Sequence, residues 1–460
     1  MTANGRGRRA AIIGLATLWG VGATACDLPN PGVAPTAETL NFPIAVGLTS
    51  AGDPAGPQYL LVASSDFDLR FNAGALHSID LDAVDAFLAS CRSATPDPSD
   101  PDAPLPTCDA DDATLRDMMV SEVLIGGQAS SIAISGDQRR AYVAVRSDRD
   151  VTWVDVAPDG RLACGNNGDG TACSSERRHL AVAEGCGRAP FAPGDPVAVV
   201  AGRVADLSGD PADESDFLVV VHRNGRAGLA LETATAGGTT PTLVHMLDSL
   251  PLDVVNAGLE PGAGVVWLNQ SAANLQRASR DVALVGVALD ARRECSLLFG
   301  AGRVSLEGVD DGRDTRDVAF DPSGQSAYLL SRRPEAVLEV RLGGTPLTAT
   351  GSALGDLTPL ARGPARMDIG EIGGRTFLFV TAFDAQSVVV VDVALGRSVV
   401  VVTGMTGPQD IAFDPLRQLL YVADFRDSVV RVIDVRPLET SSLPHLISTL
   451  GTARPIEVLR

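Results

Sequence analysis

The chain has 460 residues, a formal net charge of −20 and 45% apolar residues, only 4% of the total being aromatic. No lysine occurs, so all 37 basic residues are arginine. An acidic balance of this size argues against wrapping DNA or RNA, since neutralising phosphates drives that binding. The length exceeds one ordinary core, which stops growing near about 250–300 residues, unless repeated units each bury a small core against the next.

Residues 1–25 read as a secretory signal. Arg6, Arg8 and Arg9 form a basic start, Ala10–Ala25 is apolar but too short to span a bilayer, and Ala23-Thr24-Ala25 supplies small residues for cleavage. Cys26 follows at once and resembles the acylated cysteine of a bacterial lipobox, although Ala23 stands where that motif usually has leucine. The alternative is ordinary cleavage that leaves Cys26 unmodified. Removing Cys26 as a lipid site leaves Cys91, Cys108, Cys164, Cys173, Cys186 and Cys295, an even set, and an oxidising compartment allows these to form disulfides. There is no C-x-x-C pair, so zinc-finger and c-type haem sites are unsupported. Residues 26–39, with Pro29, Pro31 and Pro35, read as an extended tether.

Residues 40–460 carry the folded part. The first unit runs from Phe42 through Tyr59–Ala63 to Ser78-Ile79-Asp80, and an insert near 85–125 follows. In this region Ala83–Ala89 reads as a short helix, and Cys91 and Cys108 bracket a Pro/Asp-rich loop that they would staple. The second unit is SSIAISGDQRRAYVAVRSDRDVTWVDV (Ser130–Val156), followed by an insert near 157–194 whose cysteines pair internally or reach Cys295. Two degenerate units come next, Pro196–Glu232 and Pro251–Asp290. TRDVAFDPSGQSAYLLSRRPEAVLEVRL (Thr315–Leu342) is the fifth. MDIGEIGGRTFLFVTAFDAQSVVVVDV is the sixth, with a first turn longer by two residues, and PQDIAFDPLRQLLYVADFRDSVVRVIDV (Pro408–Val435) is the seventh. Ala133, Ala319 and Ala412 each stand nine residues before Tyr142, Tyr328 and Tyr421; Asp155, Arg341 and Asp434 come thirteen residues after. Phe379 and Asp392 keep the second spacing in the sixth unit.

Each unit spells short strands of β-branched and aromatic residues at period two, joined by tight turns. Four antiparallel strands in about 40–45 residues make a propeller blade. The expectation is an all-β, seven-bladed β-propeller, with eight blades as the alternative if the tail, Leu446–Leu450 and Pro455–Val458, counts separately. Tyr421-Val422-Ala423-Asp424 with Val432-Ile433-Asp434 resembles the YVTN repeat, strongly in four blades. That resemblance implies an extracytoplasmic propeller, and similar architectures serve lactonases and dehydrogenase subunits, so it does not choose a chemistry.

Candidate sites are few. Asp206, Ser208, Asp210 and Asp216 resemble the calcium loop of FG-GAP propellers, calcium being the one cofactor suggested; the favoured reading is an acidic surface loop. The histidines never stand at metal-ligand spacing, and no G-x-S-x-G elbow, phosphate loop or dinucleotide fingerprint occurs. Arg146, Arg223, Arg332 and Arg426 follow equivalent second strands, with His222 at such a strand end, so blade symmetry gathers them on one face. They form either an anion-focusing ligand face or ordinary solvated turns, the latter being favoured. Together these features predict a non-enzymatic, lipid-anchored cell-envelope protein, facing the periplasm or the cell surface, that binds a protein or small ligand and no nucleic acid. A lactonase-like hydrolase using channel-mouth residues is the alternative.

Overall fold

The computed structural model describes residues 33–454 apart from 37, 69–70, 93–106, 166–171, 184–193, 211, 214, 236–237, 272–280, 291–294, 310–313, 343–352 and 441–442. The signal, Cys26, most of the tether, the Cys91 side chain, Cys186 and Pro455–Val458 therefore lie outside the described residues.

Seven sheets form the blades, each an antiparallel meander of four successive strands. The inner strands are Pro43–Thr49, Ala129–Ile134, Pro196–Arg203, Val254–Glu260, Asp314–Phe320, Pro364–Ile372 and Pro408–Asp414. Neighbouring inner strands pack against one another all the way round, the seventh against the first. Six inner strands break register one residue after they begin, and the fifth does so at Asp314–Asp317. Such bulges sharpen the local twist. In five blades the residue before the inner strand is left-handed: Phe42 (φ 51°), Gln128 (60°), Asp195 (57°), Asp253 (61°) and Gly363 (70°). The sixth unit's extra length is not a longer turn. Its first two strands are extended and meet at the two-residue turn Gly373-Gly374, where both φ are positive (58° and 73°), as a tight hairpin demands.

Seven apolar clusters fill the seven spaces between adjacent blades. The repeated aromatic position points into this layer: Tyr142, Phe379 and Tyr421 are fully buried and Tyr328 nearly so. In the fourth blade Trp267 stands there, edge-on to Phe320 of the fifth (5.7 Å, 82°). Wide aromatic side chains suit a wedge that opens outward, and each buries a large apolar area.

Each blade takes its four strands in chain order, the first insert standing between the third and fourth strands of blade 1, and among the described residues no strand is exchanged between the ends. The first insert closes the ring instead. Helix Leu81–Arg92 leads out of blade 1, and Cys108–Ala110 then runs beside the outer strand of blade 7, His445–Leu450. Cys108 and Ala110 donate their N–H groups to the Ile447 and Thr449 carbonyls (both 2.8 Å). The second insert laces two further edges. Ala172 pairs with Leu124 on the outer edge of blade 1, and Ala181–Val182 adds in parallel to the outer strand of blade 3. The Cys164–Cys173 disulfide (Cα–Cα 4.6 Å) lies within this insert. Cys108 and Cys295 each take part in a further disulfide. The expected Cys91–Cys108 pairing falls outside the described residues.

Candidate functional site: the channel and its rims

Reading across the registers, one tier of the channel is formed by Ala45, Ser131, Ala198, Asn256, Asp317, Arg366 and Asp410. The tier is polar over blades 4 to 7 and apolar or small over blades 1 to 3. Ser131, Asn256, Asp317, Arg366 and Asp410 of this tier line a cavity of about 320 Å³ whose other walls include Val46, Ile132, Ile134, Val199 and Val200, while Ala45 and Ala198 pack into the clusters between blades.

An inner strand is an edge strand, and its channel-side N–H groups need acceptors. The tier provides them across the blade boundary. Asp317 Oδ2 accepts from Met367 N (2.8 Å), Asp410 Oδ2 from Val46 N (2.9 Å) and Ser131 Oγ from Val199 N (3.0 Å). One tier further in, Asp368 Oδ2 accepts from Phe413 N (2.7 Å). Asn256 Nδ2 donates to Asp317 Oδ1 (2.6 Å). Burial pushes the Asp317 carboxyl up to about 7 and Asp368 up to about 6, and it raises Asp410; Arg366, between Asp317 and Asp410 in the tier, opposes the rise at both. These carboxylates hold neighbouring blades together.

Arg316 and Arg366 belong to inner strands. The four rim arginines do gather on the face that carries the connections. Arg146 meets Asp195 (2.6 Å), Arg223 meets Asp253 (3.7 Å) and Arg332 meets Asp384 (2.6 Å), each acid coming from the following blade or the strand leading into it. The acids of their own turns are engaged elsewhere, Asp148 by Arg178 and Asp427 by Arg431. Arg426 stacks over Phe383 of blade 6 (4.5 Å) and donates to Thr406 O (3.3 Å). Three of the four guanidiniums are thus matched by carboxylates, which leaves little net field for an anion, and exposed pairs of this kind contribute only about 0–1 kcal/mol each.

His222 is buried, not a solvated turn residue. Its Nδ1 lies 3.0 Å from Gly194 O, and burial lowers its pKa to about 4, so the neutral ring pins the connection before blade 3. Asp424 occupies the same blade position in blade 7 and accepts from Thr406 N and Gly407 N (3.1 and 2.7 Å). The calcium-loop residues separate. Asp206 and Asp210 are exposed on the short helix Val204–Ser208 and the turn after it. Asp216 is buried with both oxygens on Gly136 N (3.1 and 3.2 Å). No group of three or more His, Cys, Asp or Glu poised to hold a metal occurs among the described residues.

Two arrangements escape sequence reasoning. Ser64 Oγ lies 3.0 Å from His77 Nε2, and His77 Nδ1 stands 3.2 Å from Glu122 Oε2, outside hydrogen-bond alignment. Ser64 and His77 are buried, and their neighbours are backbone: Asn41 N donates to Ser64 Oγ (3.3 Å) and Glu38 N to Glu122 Oε2 (2.7 Å). His77 pairs directly across from Glu122 on the outer strand, a register that the intervening insert conceals in sequence. On the connection face, Phe67 (62% exposed) rests on the buried rings of Phe42 and Phe425, with centroids 6.4 and 5.3 Å away.

No family model matches the sequence, and comparison with curated proteins finds no relative. The similarity lies in solved structures. Hydrazine synthase of Kuenenia stuttgartiensis aligns with a TM-score of 0.52 at 11% identity, over 86% of this chain and 96% of that one. The β-propeller domain of Cps50 (Swd1) of Myceliophteria thermophila aligns with a TM-score of 0.50 at 10% identity, over 85% and 96%. A periplasmic gluconolactonase of Pseudomonas aeruginosa is similar at 0.49 and 15% identity, over 90% and 97%. At such identities the likeness is one of fold. The chain is a seven-bladed β-propeller with sealed blade boundaries and a disulfide.

Proposed function

We propose that this protein is a non-enzymatic lipoprotein of the cell envelope whose connection face binds a protein partner. The observation that carries the reading is the aromatic patch at the seam of blades 7 and 1. Phe67 stands proud on Phe42 and Phe425, and Arg426 lies close by over Phe383. Aromatic residues and arginine are the types enriched at interface centres, and a ring seated on buried rings loses little freedom on binding. The engagement of the channel carboxylates by backbone supports a binding role over a catalytic one. The Cys164–Cys173 disulfide supports export to an oxidising compartment.

A photo-crosslinking amino acid at position 67 is expected to give one adduct of discrete mass in intact cells, and the same group at Leu395, on the opposite face, none. Equal or absent adducts at both positions would count against the face. For the anchor, labelled fatty acid is expected to mark the natural chain and not Cys26→Ser; label on both would remove the lipid claim.

A hydrolase is the second reading, favoured by the Ser64–His77–Glu122 arrangement. Reaction of Ser64 with a fluorophosphonate would turn the choice towards it.

A further inference from the structure

The face opposite the connections carries a cavity of about 370 Å³ between blades 2 and 3. Ser135 and Asp137 of the first turn of blade 2 form one wall; Asp216 and Glu232, from the second and third strands of blade 3, form the other. Glu232 is 7% exposed. Its Oε1 accepts from Arg140 Nη1 and from the Tyr142 hydroxyl (both 2.7 Å), which fixes the side chain in place. Its Oε2 is buried without a hydrogen-bond partner. A carboxylate oxygen held so deep without a donor is costly, and Glu232 cannot turn outward without breaking both bonds.

Two of the cations beside the site, Arg140 and Arg177, are committed to other partners, while Arg139 also lines the cavity and Arg203 stands beside Asp216. Arg140 also binds Asp155 and the Thr239 carbonyl, and Arg177 takes the other Asp155 oxygen (2.7 Å). What remains is acceptor capacity and negative charge at Glu232 and Asp216, with Asp137 beside them. We propose that this cavity binds a small organic cation, an alkylammonium group whose N–H donors reach Glu232 Oε2 and Asp216. An ammonium offers three donors and one positive charge, and the volume suits a ligand of a few heavy atoms. Around Asp216, burial raises the carboxyl to about 7; Asp137 and Glu232 add to the rise, while the Gly136 N–H and Arg203 oppose it. Binding should therefore strengthen from pH 6 to pH 8 as Asp216 ionises.

The test is calorimetric titration of the full chain with n-butylammonium chloride, and with 1-butanol as the neutral match. The amine is expected to bind at pH 8 at least about tenfold more tightly than the alcohol, and more weakly at pH 6. Glu232→Gln is expected to weaken the amine by about tenfold or more. Should that variant fail to fold, Asp216→Asn, which still offers Gly136 N–H an acceptor, is expected to weaken the amine and remove the pH dependence. No amine binding at pH 8, equal binding of the alcohol, or affinity unchanged in the folded variants would overturn the proposal.

Discussion

Serine at both Cys164 and Cys173 is expected to lower stability by about 3 kcal/mol, the loop-entropy value for a short cross-linked loop. These cysteines stand nine residues apart and close the start of the second insert. The effect should be uneven around the ring. Cys173 N donates to Leu124 O on the edge of blade 1 (2.9 Å). Further along, Leu180 N donates to Asp150 (2.9 Å) and Ala183 N to Leu243 O on blade 3 (3.0 Å). Opening the loop loosens all of these together. Hydrogen exchange is therefore expected to quicken in Met119–Ile125 and Gly238–Leu247 and to stay unchanged in Ala353–Pro359 of blade 5. Uniform quickening, or none, would show that the insert does not lace those edges.

The folded chain should be more stable at pH 5.5 than at pH 8. Asp317 and Asp216 are held up to about 7 and Asp368 to about 6, whereas the unfolded chain releases these protons near the ordinary carboxyl value of 3.8. Between those limits the folded state binds more protons, so their stabilisation is complete at low pH and is lost as pH rises to the folded values. For Asp317 alone the rise corresponds to about 4 kcal/mol. His222 works the other way. Its folded value of about 4 lies below the ordinary imidazole value of 6.5, so its contribution is lost as pH falls through that window. Three carboxyls outweigh one imidazole. Thermal melts from pH 5.5 to 8.5 are expected to fall by several degrees. Asp317→Asn should flatten the fall while lowering the pH 5.5 value, because the amide keeps one acceptor oxygen where Asp317 uses two, so either Met367 N or Asn256 Nδ2 loses its partner. A melting temperature that rises over the range would contradict the assignment.

The repeat spacing made the blades legible because each strand pair is local, and the aromatic nine residues after the small inner-strand residue has one place to go. The site was harder to read. Asp317 and Asp410 sit in visibly repeated segments, but Arg366 drops out of alignment because the sixth blade lengthens both strands of its first hairpin. Glu232 and Tyr142 meet across a blade boundary, and Ser64, His77 and Glu122 depend on a register that an insert interrupts. Turn arginines could be placed on a face from symmetry. Their partners could not, since the acids come from the next blade.

Among the described residues, a side branch of blade 1 lies against blade 7, and no blade draws strands from both ends. A single in-frame duplication or deletion can therefore add or remove a complete blade without touching the termini. Blades 4, 5 and 6, whose outer edges carry no added strand among the described residues, are the natural units of such change. Blades 7, 1, 2 and 3 are bound into one another by the inserts, so a change in any one of them disturbs its neighbours.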